Sequence, residues 1–141
     1  MANAQAITGV AKQAALGAIV DGKTLKMALY LASATTNGSN TVYTSTGELA
    51  ATGNYTAGGN SVTNANTAGL TGTTAYWTPS ASVQWTSFTS SGAFDAAMLY
   101  STTDSNRALA VYTFGSQSVT GGTFTLTMPT NDSTTGLIRL A

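Results

Sequence analysis

Any chemistry in this chain must be built from few parts. The acids are Asp21, Glu48, Asp95, Asp104 and Asp132, the lysines are Lys12, Lys23 and Lys26, and the 141 residues include no His and no Cys. A glycosidase needs two carboxyl groups facing each other across a cleft. Four of the acids sit beside turn signals or in a polar run and only Asp95 stands near the start of an apolar run, so a hydrolase would have to draw on Asp95 or Glu48. A serine nucleophile without His needs a Lys base, yet all three lysines lie in the first 26 residues and no motif pairs one with a Ser. The commonest general base, the usual transition-metal ligands, thiol nucleophiles and disulfides are all missing. The reading is therefore of a non-enzyme, with no catalytic, cofactor-binding or metal-ligating residue assigned.

Weaker signals have plain structural explanations. Asp104-Ser105-Asn106 alternates oxygen-bearing side chains, but Ca²⁺ takes six to eight oxygens, usually with several carboxylates, and a polar turn accounts for it better. The Gly-rich stretches neither precede a Lys nor open a helix, so they are no phosphate cradle. Asn37-Gly38-Ser39, Asn54-Tyr55-Thr56 and Asn131-Asp132-Ser133 match the glycosylation pattern, as chance allows in a chain rich in Thr and Asn. Tyr76, Trp77 and Trp85 are a candidate aromatic platform for sugar. Against that, Trp85 alternates with Gln84 and Thr86 as a core residue would. Tyr76 and Trp77 are neighbours, which on a strand face opposite ways, so one of them is expected at the surface.

Composition narrows the class further. Net charge is zero and only 7% of residues are charged, against about 25% in an average soluble domain. No electrostatic excess exists to neutralise phosphates or hold an anionic lipid surface, which argues against a nucleic-acid or membrane partner. A surface of Thr, Ser, Asn, Gly and Ala is poorly protected against association, and suits a chain made to be assembled. No basic segment leads into an apolar run near the N-terminus, and no apolar run is long enough to span a bilayer.

The elements that must carry these residues have two textures. Ile7, Val10, Ala11, Ala14 and Ala18 recur at helical spacing, predicting a helical N-terminal segment within residues 1–20, capped by Asn3 and ended near Gly17. From Asp21-Gly22 onward, short β-branched and aromatic runs alternate with Gly, Asn, Ser and Thr clusters. Strands are expected at 24–32, 83–88, 93–101, 107–114, 123–128 and 136–140, with shorter ones at 41–44, 61–63 and 74–78. Phe124, Leu126 and Met128 should face the core, and Thr123, Thr125 and Thr127 the solvent. Residues 108–114, apolar on both faces, suit a central strand. Residues 50–74 have no sustained period and read as a surface excursion offering an ordered contact surface. The expectation is mainly β: one antiparallel, jelly-roll-like β-sandwich domain over 1–141 with a short N-terminal helix.

Several stretches carry a family resemblance in order: Thr24-Leu-Lys-Met-Ala-Leu-Tyr30, Val42-Tyr43 leading to Gly47-Glu48, and Gly53-Asn-Tyr-Thr-Ala-Gly-Gly59. Ala97-Met-Leu-Tyr100, residues 107–115, and Met128-Pro129 leading to Gly136-Leu-Ile-Arg-Leu140 follow. Together, over about residues 7–140, they resemble the small decoration or cement proteins of tailed-phage capsids. The resemblance implies a virion protein, made in the bacterial cytoplasm, that binds the major capsid protein on the outer surface and stiffens the shell across capsomer seams. A phage tail- or fibre-associated carbohydrate-binding module using Tyr76 and Trp77 is the alternative. Seams between equivalent capsomers often have local two-fold symmetry, so a homodimer is expected. Capsid contacts are expected from residues 4–18 and 50–74, mostly apolar and neutral.

Overall fold

In the computed structural model, which describes residues 3–141, two of the apolar runs become the two central strands. β1 (Leu25–Leu31) and β6 (Phe94–Ser101) pair antiparallel from Leu25 against Ser101 to Leu31 against Phe94. Successive strand side chains point to opposite faces. Leu25, Met27, Leu29, Ala97 and Leu99 therefore enter the main core, while Ala28, Tyr30, Ala96, Met98 and Tyr100 form a second cluster behind the sheet.

Around this pair are α1 (Gly9–Val20), β2 (Asn60–Ser61), β3 (Gly69–Thr71), β4 (Thr74–Trp77), β5 (Val83–Phe88), β7 (Arg107–Gln117), β8 (Gly122–Leu126) and β9 (Ile138–Leu140). One sheet runs β2-β1-β6-β7, and the opposing layer is divided between β3-β4-β9 and β5-β8. All of the strand pairs are antiparallel. The architecture is thus mainly β and sandwich-like, as expected, but unclosed: the second layer is two small sheets. Thr78-Pro79-Ser80 stands at the break between β4 and β5, where Pro cannot supply a ladder donor.

The β8 alternation holds, with Phe124 and Leu126 packed on the core and Thr123, Thr125 and Thr127 exposed. Other expectations need correction. Residues 108–114 do not form a central strand: β7 is an edge, and its residues are half-buried or exposed. In β5, strict alternation would put Ser87 on the Val83 and Trp85 face. A positive φ of 47° at Ser87 and a register shift between Trp85 and Phe88 instead bring Phe88 inward. Residues 41–44 make only an isolated bridge from Val42 to Arg107. Asn3 caps nothing, because α1 starts at Gly9 under the Thr8 hydroxyl, and Gly17 lies inside the helix.

Residues 50–74 are largely exposed but are more than a surface excursion. They carry β2 and β3, and Tyr55, Val62 and Ala68 are buried in the main core. Gly59, at φ +74°, sits so close to the Met27 carbonyl that any Cβ would overlap it, a conformation open mainly to glycine. Asparagine amides tie the segment down. Asn54 donates to Thr86 O, Asn60 to Gln84 O, Asn66 to Thr78 O, and Asn64 to both Val20 O (2.6 Å) and Lys23 O (3.0 Å). Asn64 Oδ1 also accepts from the Trp77 indole at 3.2 Å. The outer face of the main sheet is covered by another stretch, from which Ala34 and Tyr43 pack on the second cluster.

Asn64→Ala removes three of these bonds and leaves the Lys23 carbonyl without its partner, while Val20 O keeps the Lys23 amide, a cost of about 2–3 kcal/mol. The melting temperature should fall by roughly 6–10 °C. Asn37→Ala, whose side chain bonds only within its own exposed turn, should change it by under about 2 °C. Equal small effects from both would mean that the asparagine ties do not hold the segment.

Candidate functional site

The acids are placed for structure. Asp21 Oδ1 accepts from Ala68 N at 2.7 Å, joining the end of α1 to the strand layer. Asp104 pairs with Lys23 at 3.1 Å and bonds Ser101 Oγ, and the Lys23 ammonium holds its carboxyl below the usual range. Ser105 and Asn106 beside it have positive φ, so the Asp104-Ser105-Asn106 run is a turn. Asp132 is likewise lowered, by the Thr135 and Thr134 amides that its Oδ1 accepts. Asp95 is half-buried on β6. Among the described residues, no three acids gather into a possible metal cluster.

Glu48 is the exception, a carboxylate only 8% exposed. Oε2 accepts from the Tyr43 hydroxyl at 2.5 Å, and Oε1 accepts from the Tyr55 hydroxyl and the Gly58 amide, both at 2.7 Å. The Tyr55 oxygen in turn accepts from Leu29 N at 2.9 Å, and Tyr100 donates to Gly58 O at 2.7 Å. Tyr43 stacks on Tyr100 with ring centroids 4.7 Å apart. The knot fastens three loop stretches to β1 and β6. Its oxygens are occupied by protein donors, and that argues against the hydrolase role considered for Glu48.

Burial and then the Glu48 carboxylate raise these phenols. Tyr100 is pushed up to about 12, and Tyr30, Tyr43 and Tyr55 go higher still. Burial alone raises Tyr112 as well.

The aromatic platform does not exist as expected. Trp77 is fully buried with its indole N–H donating to Asn64 Oδ1 and Asn66 O, and Trp85 is 2% exposed against Phe124. Tyr76 is the surface-side member of its pair, yet its ring lies over Gly69 on the neighbouring strand, so close that a Cβ there would meet it at 2.5 Å. One half-covered ring remains of the three.

The helix offers a different surface, on the face whose helical spacing the sequence shows. Its inner side is Gly9, pressed on the turn at Gly72, with Leu16 and Val20 fully buried. Lys12 donates to Thr73 O and Gln13 to Ala68 O, fixing the helix to the strands. The outer side is Val10, Ala11, Ala14 and Ala18, all exposed, continued by Ile7 just before the helix. Ile7 is 69% and Val10 67% exposed, and the other large exposed apolar residues described are Val42 and Leu140. Both sides of α1 are apolar enough to be buried, and the chain spends its own core on the side with the larger Leu16 and the terminal Val20. The regular 7-10-11-14-18 spacing concealed that competition.

No family model, curated protein or solved structure matches this chain. Among the described residues no helix is long and apolar enough to cross a membrane.

Neutral buried phenols stabilise the fold below the pKa of an unfolded tyrosine, about 10. Above it, the unfolded chain releases protons that the folded chain retains, so stability falls as pH rises through the folded values. Denaturant midpoints should be level up to about pH 10 and drop steadily toward pH 12. The drop should be smaller in Tyr43→Phe, which removes one such phenol. Midpoints unchanged to pH 12 would contradict the buried tyrosine knot.

Proposed function

We propose that this chain is a structural virion protein that binds the outside of an assembled tailed-phage capsid and cements the shell across capsomer seams. The observation that carries the reading is the uncovered apolar face of α1, held rigidly on the strand layer while Ile7, Val10, Ala11, Ala14 and Ala18 point away from it. Solvent-exposed apolar residues are common singly, but a contiguous patch calls for a partner. The scarcity of charge fits a partner met through neutral hydrogen bonds and apolar contact. A repeated lattice multiplies a modest contact by the number of copies, so no single site must bind tightly. The ordered motifs that resemble cement proteins supply the identity of the partner, the major capsid protein.

In this reading the larger share of contact falls to the N-terminal segment, a choice supported by the burial of Tyr55, Val62 and Ala68 from residues 50–74. A glycan-binding module is the weaker reading, because the two tryptophans that would stack on sugar are internal.

Burying a Val or Ile side chain is worth about 1.5–3 kcal/mol. The double substitution Ile7→Asp, Val10→Asp should therefore weaken co-sedimentation with expanded particles lacking the chain by at least about tenfold. Its melting temperature should stay within about 2 °C, since neither side chain is buried. Raising NaCl to about 1 M should leave the native protein bound, because salt screens exposed charges and few are present. Particles without the protein should keep their lattice geometry yet rupture at lower temperature. Undiminished binding of the double variant, or release by salt, would overturn the assignment of this face.

A further inference from the structure

Asn37-Gly38-Ser39, a chance match to the glycosylation pattern, forms an exposed turn with a chemistry of its own. The Asn37 side-chain carbonyl accepts twice from Ser39, from its amide at 2.9 Å and from its hydroxyl at 2.6 Å. The Asn37 amide donates to Asn40 Oδ1 at 2.8 Å, and the Asn40 amide returns to the Asn37 main-chain carbonyl at 3.1 Å. The side chain is therefore held by its oxygen. Among the described residues, neither its Nδ2 group nor the Gly38 amide donates to a partner.

Two contrasts set Asn37 apart. Asn54, Asn60, Asn64 and Asn66 spend Nδ2 on backbone carbonyls, and the residues that follow them are Tyr, Ser, Ala and Thr. Asn37 is the one asparagine followed by Gly, whose nitrogen has no Cβ beside it to obstruct an approach.

We propose that Asn37 is a site of self-modification, at which the Gly38 nitrogen attacks the Asn37 side-chain carbonyl carbon while Ser39 polarises that carbonyl. A bond forms between Gly38 N and Asn37 Cγ, the Cγ–Nδ2 bond breaks, and the proton lost from the Gly38 amide leaves with Nδ2 as ammonia. Water then opens the five-membered imide at one of its two carbonyls. Breaking the bond to Cγ gives aspartate, and breaking the main-chain bond gives isoaspartate; nothing is oxidised or reduced. The two Ser39 donors sit on the oxygen where negative charge develops, as in an oxyanion hole, and the nucleophile is supplied by the adjoining residue. Either product adds a negative charge to a chain whose formal net charge is zero. The charge arises beside the edge strand, since Asn37, Gly38 and Asn40 line a small cleft of about 100 Å³ with Ala108 to Val111. The chain thus ages from a neutral to an acidic form without unfolding, because the turn lies outside the core. None of this rests on the capsid reading, and it is tested on the free chain.

The unmodified protein is incubated warm in mildly alkaline buffer made with heavy-oxygen water, then followed by ion exchange and peptide mapping. Asn37 should take up heavy oxygen, as aspartate and isoaspartate, at least about tenfold faster than any other asparagine. The acidic form should melt within about 2 °C of the parent. A Cβ at Gly38 meets nothing within 4 Å and the backbone there is not left-handed, so Gly38→Ala keeps the fold, and it should slow conversion at least about fivefold. Ser39→Ala should slow it about threefold or more, and Ser39→Thr, which restores a hydroxyl, should recover the rate. An Asn37 that keeps its amide while another asparagine converts, a Gly38→Ala rate equal to the parent's, or indifference to loss of the Ser39 hydroxyl would overturn the proposal. Should a variant unfold, the map of the unmodified protein decides alone: conversion at Asn37 no faster than elsewhere refutes the site.

Discussion

Glu48 is the one formally charged side chain the described fold takes inside, and the covering of the main sheet depends on it. A buried carboxylate is costly unless its oxygens are satisfied. Here the donors come from Tyr43, Tyr55 and Gly58, so satisfying one side chain fixes the positions of three loop stretches at once. Tyr55 reaches on to the backbone of β1, and Tyr100 of β6 closes onto Gly58. A loop that would otherwise be an entropic burden becomes a lid over Tyr30, Met98 and Tyr100. That lid allows β1 and β6 to be apolar on both faces.

The same economy governs the rest of the chain. With ten formal charges and a single Lys23–Asp104 ion pair among the described residues, segments are joined by amides and hydroxyls. Asn64 bridges the end of α1 to Trp77, Asn66 and Thr78 tie neighbouring stretches, and Thr78 Oγ1 accepts from Leu137 N. Such bonds are insensitive to salt, and they leave the surface neutral. A neutral surface carrying an apolar helix face is poorly protected against association. The proposed lattice role would cover that face.

The sequence made the strands legible where periodicity and burial agree. The alternation of residues 83–86 and of Phe124, Leu126 and Thr125 was readable because each has one wet and one dry face. Rank within the sheet was not readable. Residues 108–114 and 94–101 are similarly apolar, and only the tertiary placement of the Tyr43 and Glu48 loop decides which is covered on both sides. The N-terminal helix was legible but not which side of it is buried: both faces of α1 are apolar, and the regular spacing marks the Ala-rich one that the fold leaves outside. The signal missed in residues 50–74 was the recurrence of Asn54, Asn60, Asn64 and Asn66, a side chain able to replace absent ladder bonds. Glu48 reads in the sequence as an acid beside a turn, or as the acid of a hydrolase, although Tyr43, Tyr55 and Gly58 all stand within ten residues of it as potential donors.

The central claim is that the exposed face of α1 rests on a capsid. A cryo-EM map of the particle that carries this protein tests it most directly. The account predicts density for the chain at stoichiometric copy number over capsomer seams, with Ile7, Val10 and Ala14 within contact distance of the lattice protein. Particles lacking the chain, or a map in which it is bound with that helix face turned to solvent, would contradict it.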